Sequence, residues 1–133
     1  MRKLTQAAVL VGTATALLIP TAAQAAAVRT TTGLLGTYGF GRAEVVGEAG
    51  QAAGVWQSFS VRPGFAGDDL RVTYSPRTQP FAAEKPVYTA SFTEVGDAQA
   101  ECEQVGADGV AQHVWVSFRC QTGFVPSYTL FVR

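Results

Sequence analysis

The strongest constraint on the fold of this chain is an internal repeat. The segment VWQSF, which begins at Val55, returns as VWVSF 59 residues later. Without gaps, this offset aligns residues 42–65 with 101–124 and gives eleven identities in 24 positions. The identities include Gly47 with Gly106, outside the tryptophan segments, so the similarity is not limited to two strands of like composition. A chain with such a period is predicted to fold as two copies of one supersecondary unit.

The N-terminal residues have the pattern of an export signal. Two positive charges precede an apolar stretch over residues 7–19, and an A-x-A cleavage pattern ends at Ala25. The apolar stretch is too short to span a bilayer, which disfavours a membrane anchor. We therefore expect residues 1–25 to be a signal peptide and 26–133 to be one secreted domain, without a membrane span after cleavage.

The mature domain is nearly neutral. Basic and acidic residues number 10 each in the whole chain, and loss of the signal peptide removes two of the basic ones, which leaves a formal charge of −2. Such a balance gives no overall attraction to nucleic acid or to an anionic membrane. The expected partners are another extracellular protein, a glycan, or a second copy of the chain in a homodimer.

The two cysteines lie in the second copy only. At the repeat offset, Cys102 falls on Ala43 and Cys120 falls on Val61, so the first copy lacks both. Joint absence is typical of a bonded pair, because a lone thiol in an oxidising compartment is reactive. We predict a Cys102–Cys120 disulfide. A metal site is disfavoured because His113 is the only histidine and no C-x-x-C spacing occurs.

Each copy is predicted to contain one helix. Residues 97–105 are rich in Ala, Gln and Glu, which favour helix, and Asp97 is a good N-cap. Gly106 stands where a C-terminal glycine is expected. These features predict a two-turn helix, with a shorter counterpart near residues 42–46.

The tryptophan segments are predicted to be strands. Over residues 113–121 apolar and polar side chains alternate, as in a strand with one buried face, and the matching strand covers 55–62. Further strands are expected at about 36–40, 70–75, 87–93 and 128–133.

The whole domain is therefore expected to be α+β, a tandem repeat of two β-α-β-β units. The units occupy about 28–75 and 87–133, with the proline-containing stretch 76–86 as linker. About 50 residues seldom fold alone, so the units should share one core and one mostly antiparallel sheet. The disulfide requires the helices to cover one face of that sheet.

The opposite face of the sheet is the candidate binding surface. It is expected to combine exposed aromatic side chains with arginine and to carry no acidic residue, a composition typical of recognition surfaces. Burial of the tryptophans under a loop or in a homodimer is the alternative. The candidate residues are Trp56, Ser58, Arg62, Arg71, His113, Trp115, Ser117, Arg119 and Phe131.

The sequence predicts neither a catalytic site nor a cofactor. His113 has no acidic residue nearby to orient it, and Gly54 takes its place in the first copy. Asp68 and Asp69 fall in a glycine-rich turn, and no nucleophile-elbow or nucleotide-binding glycine pattern occurs. We expect a non-enzymatic binding protein. The alternatives are a small hydrolase that uses His113 or the two aspartates, and a self-associating envelope or structural protein.

The run ECEQVGADGVAQHVWVSFRC, followed by YTLFV, resembles a pattern in small secreted proteins of actinobacteria. The resemblance covers the second repeat, and the first departs from it because it lacks both cysteines. It implies an exported bacterial protein and no particular activity. The expected architecture is also similar to that of beta-lactamase inhibitory proteins, although no motif is shared, which makes inhibition of an extracellular enzyme one expected role.

Overall fold

The computed structural model describes residues 28–123 and 126–133, so the expected signal peptide lies outside the described residues. The order strand, helix, strand, strand occurs twice, and the α+β class is confirmed. The first half consists of β1 (Thr31–Tyr38), α1 (Arg42–Ala52), β2 (Ser58–Pro63) and β3 (Asp68–Tyr74). The second consists of β4 (Lys85–Ser91), α2 (Ala98–Ala111), β5 (Phe118–Thr122) and β6 (Ser127–Val132). Among the described residues, neither helix is long and apolar enough to cross a membrane.

The strands form two separate antiparallel sheets, in the orders β1-β3-β2 and β4-β6-β5. The expectation of one continuous sheet is therefore wrong. The reason lies in the helices: α1 packs on β2 and β3 of its own half and also contacts β4, while α2 packs on β5 and β6 and also contacts β1. The two halves are thus joined through helices and core side chains rather than through hydrogen bonds between sheet edges.

The first strand of each half carries a bulge at the same place in its ladder. The register shifts between Leu34 and Gly36 in β1, and at the corresponding point of β4. The extra residues at the two bulges, Leu35 and Val87, are both buried. Bulges bend a strand and re-aim a side chain, and both first strands use this device to add an apolar residue to the core.

Helix α2 begins as predicted but ends later. The Asp97 side chain accepts a hydrogen bond from the backbone N–H of Ala100 at 2.9 Å, which is an N-cap interaction. The helix then passes through Gly106 and ends at Ala111, so the predicted C-terminal role of Gly106 is wrong. Helix α1 also exceeds the predicted length and has 11 residues.

Glycines inside the helices allow aromatic rings to approach the helix backbone. A Cβ atom added at any of four helical glycines would lie within 2.3 Å of a ring carbon. These glycines are therefore required for packing rather than for ending a helix. The four contacts are Gly47–Phe59, Gly50–Trp56, Gly106–Phe118 and Gly109–Trp115.

The predicted disulfide is confirmed. Cys102 and Cys120 are bonded, with Cα atoms 6.1 Å apart, and the bond joins α2 to β5. At the matching positions of the first half, Ala43 is fully buried and Val61 is packed against the same core. Apolar packing thus takes the place of the covalent bond between α1 and β2.

Candidate functional site

The two tryptophans lie in the core and not on an open face. Trp56 is 2% exposed and Trp115 is 1% exposed, and their rings stack with centroids 6.3 Å apart. Each indole N–H donates to a carbonyl of the preceding helix, at 2.8 Å to Gly47 and 2.9 Å to Gly106. Because both the apolar rings and the polar N–H groups are satisfied internally, the expectation that these residues are exposed is wrong.

The tryptophans are buried because a turn precedes each strand. The strands begin at Ser58 and Phe118, so the tryptophans precede them and the alternating pattern does not apply. Gly54 and His113 follow the helix C-caps and have φ angles of 74° and 59°. The backbone N–H of the next residue bonds back to the helix in both cases, as in a Schellman motif.

His113 therefore terminates a helix. Its left-handed backbone is adopted by glycine at the matching position, and its side chain is exposed. The predicted placement of His113 on a strand face is wrong. The two aspartates of the alternative hydrolase also hold local structure: Asp68 accepts from the Gly41 N–H at 2.9 Å and Asp69 accepts from the Thr37 hydroxyl at 2.6 Å.

The remaining residues of the predicted face lie on two separate sheets. Ser58, Arg62 and Arg71 are exposed residues of the first sheet, whereas the others belong to the second half. Asp69 lies directly opposite Arg62 in the ladder. An acidic residue therefore does belong to this face, contrary to the prediction, and the candidates do not form one surface.

In the second half, Arg119 and Phe131 contact one another. The Arg119 guanidinium lies 4.6 Å from the centre of the Phe131 ring and pairs with Glu84, with 2.9 Å between Nε and Oε2. The hydrogen bond from Arg119 lowers the pKa of the Glu84 carboxyl. Ser117 is exposed just before β5. A cavity of about 420 Å³ lies beside this group, lined by Gln121, Thr122, Gly123, Thr129 and Phe131.

Like the stacked tryptophans, the helix N-termini are joined by a contact between matching positions of the two halves. Arg42 and Glu101 are 59 residues apart, the repeat offset, and their Nε and Oε1 atoms are 3.0 Å apart. The Tyr88 hydroxyl donates to Glu101 and accepts from Arg42. Burial is the main reason that the pKa of Tyr88 is raised. Arg42 also contacts Glu94, at 3.5 Å, in the loop before α2.

These contacts fix the relative direction of the helices. Arg42 and Glu101 lie in the first turns of α1 and α2, and the stacked tryptophans follow the last turns. Both helices therefore run in the same direction, with their N-termini together at one end of the molecule. At each end of the molecule, a residue of one half contacts the residue at the matching position of the other half. An approximate two-fold axis parallel to the helices would produce this arrangement.

The loops that connect the strands gather at the end where the helices begin. In the first sheet Tyr38 pairs with Asp68, so the hairpin turn between β2 and β3 lies beside the start of α1. In the second sheet Ser91 pairs with Ser127, which places the corresponding loops beside the start of α2. We call this surface the loop end. It comprises residues 37–44, 62–69 and 91–101, which are three of these loops with the residues that flank them.

Three phenylalanines project from the loop end. Phe40 is 70% exposed, Phe92 is 46% exposed, and Phe65 is completely exposed at the tip of the hairpin between β2 and β3. Other exposed apolar residues, such as Leu34 on β1, lie away from this end. Exposed aromatic side chains on the loops of one end make that end a candidate interaction site.

The hairpin that carries Phe65 is well defined. Gly64 donates a backbone hydrogen bond to the carbonyl of Gly67 at 2.9 Å, which closes the turn. Gly67 has a φ of 145°, and a Cβ there would lie 2.3 Å from the carbonyl oxygen of Tyr38. The hairpin thus packs directly on the end of β1, and its aromatic tip is held away from the domain.

These phenylalanines are not among the candidate residues predicted from the sequence, although a signal was present. The dipeptide Gly-Phe occurs at 64–65 and again at 123–124, at the repeat offset. The dipeptide contributes two of the eleven identities between the copies and does not itself indicate exposure. Phe40 and Phe92 carry a similar signal, because each follows the first strand of its half.

In the described ranges there is no group of three or more His, Cys, Asp or Glu side chains that could hold a metal ion. Comparison with protein-family models, with curated proteins and with solved structures gives no match for this chain.

Proposed function

We propose that this protein is a secreted, non-enzymatic binding protein that recognises another protein through the loop end. The observation that carries the proposal is the complete exposure of Phe65 at the tip of a braced hairpin. Binding loops presented by a rigid scaffold are a common arrangement in recognition proteins. The Cys102–Cys120 disulfide is consistent with function in an oxidising compartment outside the cell.

Exposure of Phe65 has an energetic consequence for binding. Moving a phenylalanine side chain from water into an apolar pocket contributes about 1.5–3 kcal/mol. The hairpin is closed and packed on β1 before binding, so little loop entropy has to be lost when the partner is bound. A pre-positioned aromatic side chain of this kind has the properties of an interface hot spot.

The shape of the site favours a protein as partner. Phe65 protrudes from its hairpin, so the complementary surface has to be concave. Clefts that can accept an aromatic side chain occur on protein surfaces, and the active-site cleft of a secreted enzyme is one example. Inhibition of an extracellular enzyme by insertion of the hairpin is therefore the specific form of binding that we propose.

The loop end also has a proposed origin. We propose that a tandem duplication of one β-α-β-β unit produced the two halves, and the matching bulges and glycine–aromatic contacts support this. A duplication about an axis parallel to the helices brings the loops of both units to the same end.

The experiment is affinity capture followed by quantitative binding. Mature protein is immobilised, extracellular proteins are passed over it, and the captured protein is identified, produced and titrated against Phe65→Ala. The matched control is Leu34→Ala, which removes an exposed apolar side chain from β1. We expect the Phe65 variant to bind at least tenfold more weakly and the control to bind normally. Equal affinity for both variants would contradict the proposal.

A further inference from the structure

We infer that the partner of the loop end is a basic protein, which docks an apolar cleft rimmed by lysine or arginine over the exposed phenylalanines. The inference rests on the proposed function and concerns the chemistry of the partner. It is carried by the unequal distribution of charge between the loop end and the rest of the molecule.

The loop end is acidic. Counted over residues 37–44, 62–69 and 91–101, it has six carboxylates against two arginines, a formal charge of −4. The other described residues have six basic and four acidic side chains, a formal charge of +2. The carboxylates of the loop end are Glu44, Asp68, Asp69, Glu94, Asp97 and Glu101.

Two structural features modify this charge without removing it. Both helices begin at the loop end, and each N-terminus contributes about half a positive charge, which leaves a net charge of about −3 there. Arg42 and Glu101 pair with one another and both side chains are nearly buried, so their charges cancel and the exposed charge comes from the other five carboxylates and Arg62. Glu44 and Asp97 remain exposed beside the aromatic loops.

The combination of exposed phenylalanines and carboxylates decides between classes of partner. An anionic membrane would accept the aromatic side chains but would be repelled by the carboxylates, and nucleic acid would be repelled in the same way. A basic protein surface is attracted by the carboxylates and offers pockets for the rings. Opposite charges at the rim of an interface mainly raise the association rate, and salt weakens this effect.

The test uses a phage-displayed library of a small folded domain with a randomised concave face, because a linear peptide offers no cleft for Phe65. The library is selected on the immobilised mature protein and counter-selected on Phe65→Ala, so that the surviving domains require the loop end. Soluble copies are then titrated at about 0.01 M and about 1 M salt, where the Debye length is about 30 Å and about 3 Å. Glu44→Lys, in the first turn of α1, is compared with Glu48→Lys one turn further along the same helix.

We expect the selected domains to combine an apolar pocket with lysine or arginine at its rim. Their affinity should fall several-fold at high salt and several-fold in Glu44→Lys, while Glu48→Lys should have a smaller effect. Domains that require Phe65 but have a neutral or acidic rim would overturn the inference and leave the proposed function intact. Failure to select any Phe65-dependent domain would count against the proposed function itself.

Two further measurements distinguish a basic protein from the two other possible partners of the loop end, an anionic membrane and a second copy of the chain. Sedimentation with vesicles of phosphatidylglycerol should show no binding, and sedimentation velocity of the free protein should show no dimer that depends on Phe65. Vesicle binding that is lost in Phe65→Ala would assign the loop end to a membrane. A dimer lost in the same variant would assign it to a second copy. Either result would overturn the inference.

Discussion

Trp56 and Trp115 occupy matching positions in the two halves and stack on one another, with an angle of 29° between their rings. Each ring also lies against a helical glycine of its own half, Gly50 or Gly109. The pair therefore joins the two halves at the end opposite to the loop end. This contact explains how two units with separate sheets can share one core.

The stacked pair should dominate the stability of the fold. We expect Trp56→Ala and Trp115→Ala each to lower the free energy of unfolding by about 3–5 kcal/mol, because each creates a cavity in a packed core. Since the rings touch, the double variant should lose less than the sum of the single variants. Denaturant titration measures all three values. A loss below about 1 kcal/mol in either single variant would show that the indole is not packed.

Local patterns predicted some elements of this fold correctly. The N-cap at Asp97, the two helices and the Cys102–Cys120 bond depend on short-range composition or on the comparison of the two copies, and all are present. The burial of the tryptophans was missed because Val55 and Trp56 are both buried in succession. Consecutive buried residues belong to a turn and cannot be recognised by a strand period.

Long-range geometry could not be obtained from the sequence. Whether the halves share a sheet or only a core depends on packing between α1 and β4 and between α2 and β1, which leaves no local pattern. The existence of the loop end could not be predicted from local patterns either. Phe40, Phe65 and Phe92 are far apart in the chain, and only the pairing of strand ends brings their loops to one surface.

The backbone conformation of His113 at the C-terminus of α2 lowers the stability of the protein. Its φ of 59° is unfavourable for a residue with a Cβ, and we expect His113→Gly to stabilise the protein by about 1 kcal/mol. The matched variant Gly54→Ala should destabilise the first half by a similar amount, because Gly54 has the same conformation. Thermal unfolding measures both. Destabilisation by His113→Gly would indicate that the imidazole makes a stabilising contact.

The disulfide should be transferable to the first half. Ala43 and Val61 match Cys102 and Cys120, so Ala43→Cys combined with Val61→Cys should form a second bond on secretion. Reduction of the native bond, which spans 18 residues, should lower the free energy of unfolding by about 3 kcal/mol. Alkylation and mass measurement count the thiols. Two free thiols in the double variant would argue against equivalent packing of the two halves.

Burial of the Asp108 carboxyl should make the stability of the fold depend on pH. The Tyr38 hydroxyl donates to the Asp108 carboxyl at 2.9 Å, but burial raises the pKa of Asp108 above its ordinary value of 3.8. A raised pKa in the folded state favours the protonated acid, so its contribution is complete below the unfolded pKa and is lost as the pH rises through the folded pKa.

Replacement of Asp108 by Asn isolates this effect. The amide oxygen can still accept from Tyr38 but does not ionise, so we expect the stability of Asp108→Asn relative to the wild type to increase as the pH rises above about 4. Urea titrations of both proteins at several pH values measure the difference. A difference that is constant with pH, or that decreases as the pH rises, would exclude a raised pKa at Asp108.

The most direct test of the proposed function is site-specific cross-linking at the loop end. A photoreactive phenylalanine analogue is placed at position 65 in one protein, and at position 34 or 131 in two controls, and each is irradiated in the presence of extracellular proteins. Leu34 lies on β1 and Phe131 lies on β6, both away from the loops. We expect one protein to be cross-linked from position 65 and not from either control. Cross-linking from position 131 alone would place recognition on the second sheet and contradict a function of the loop end.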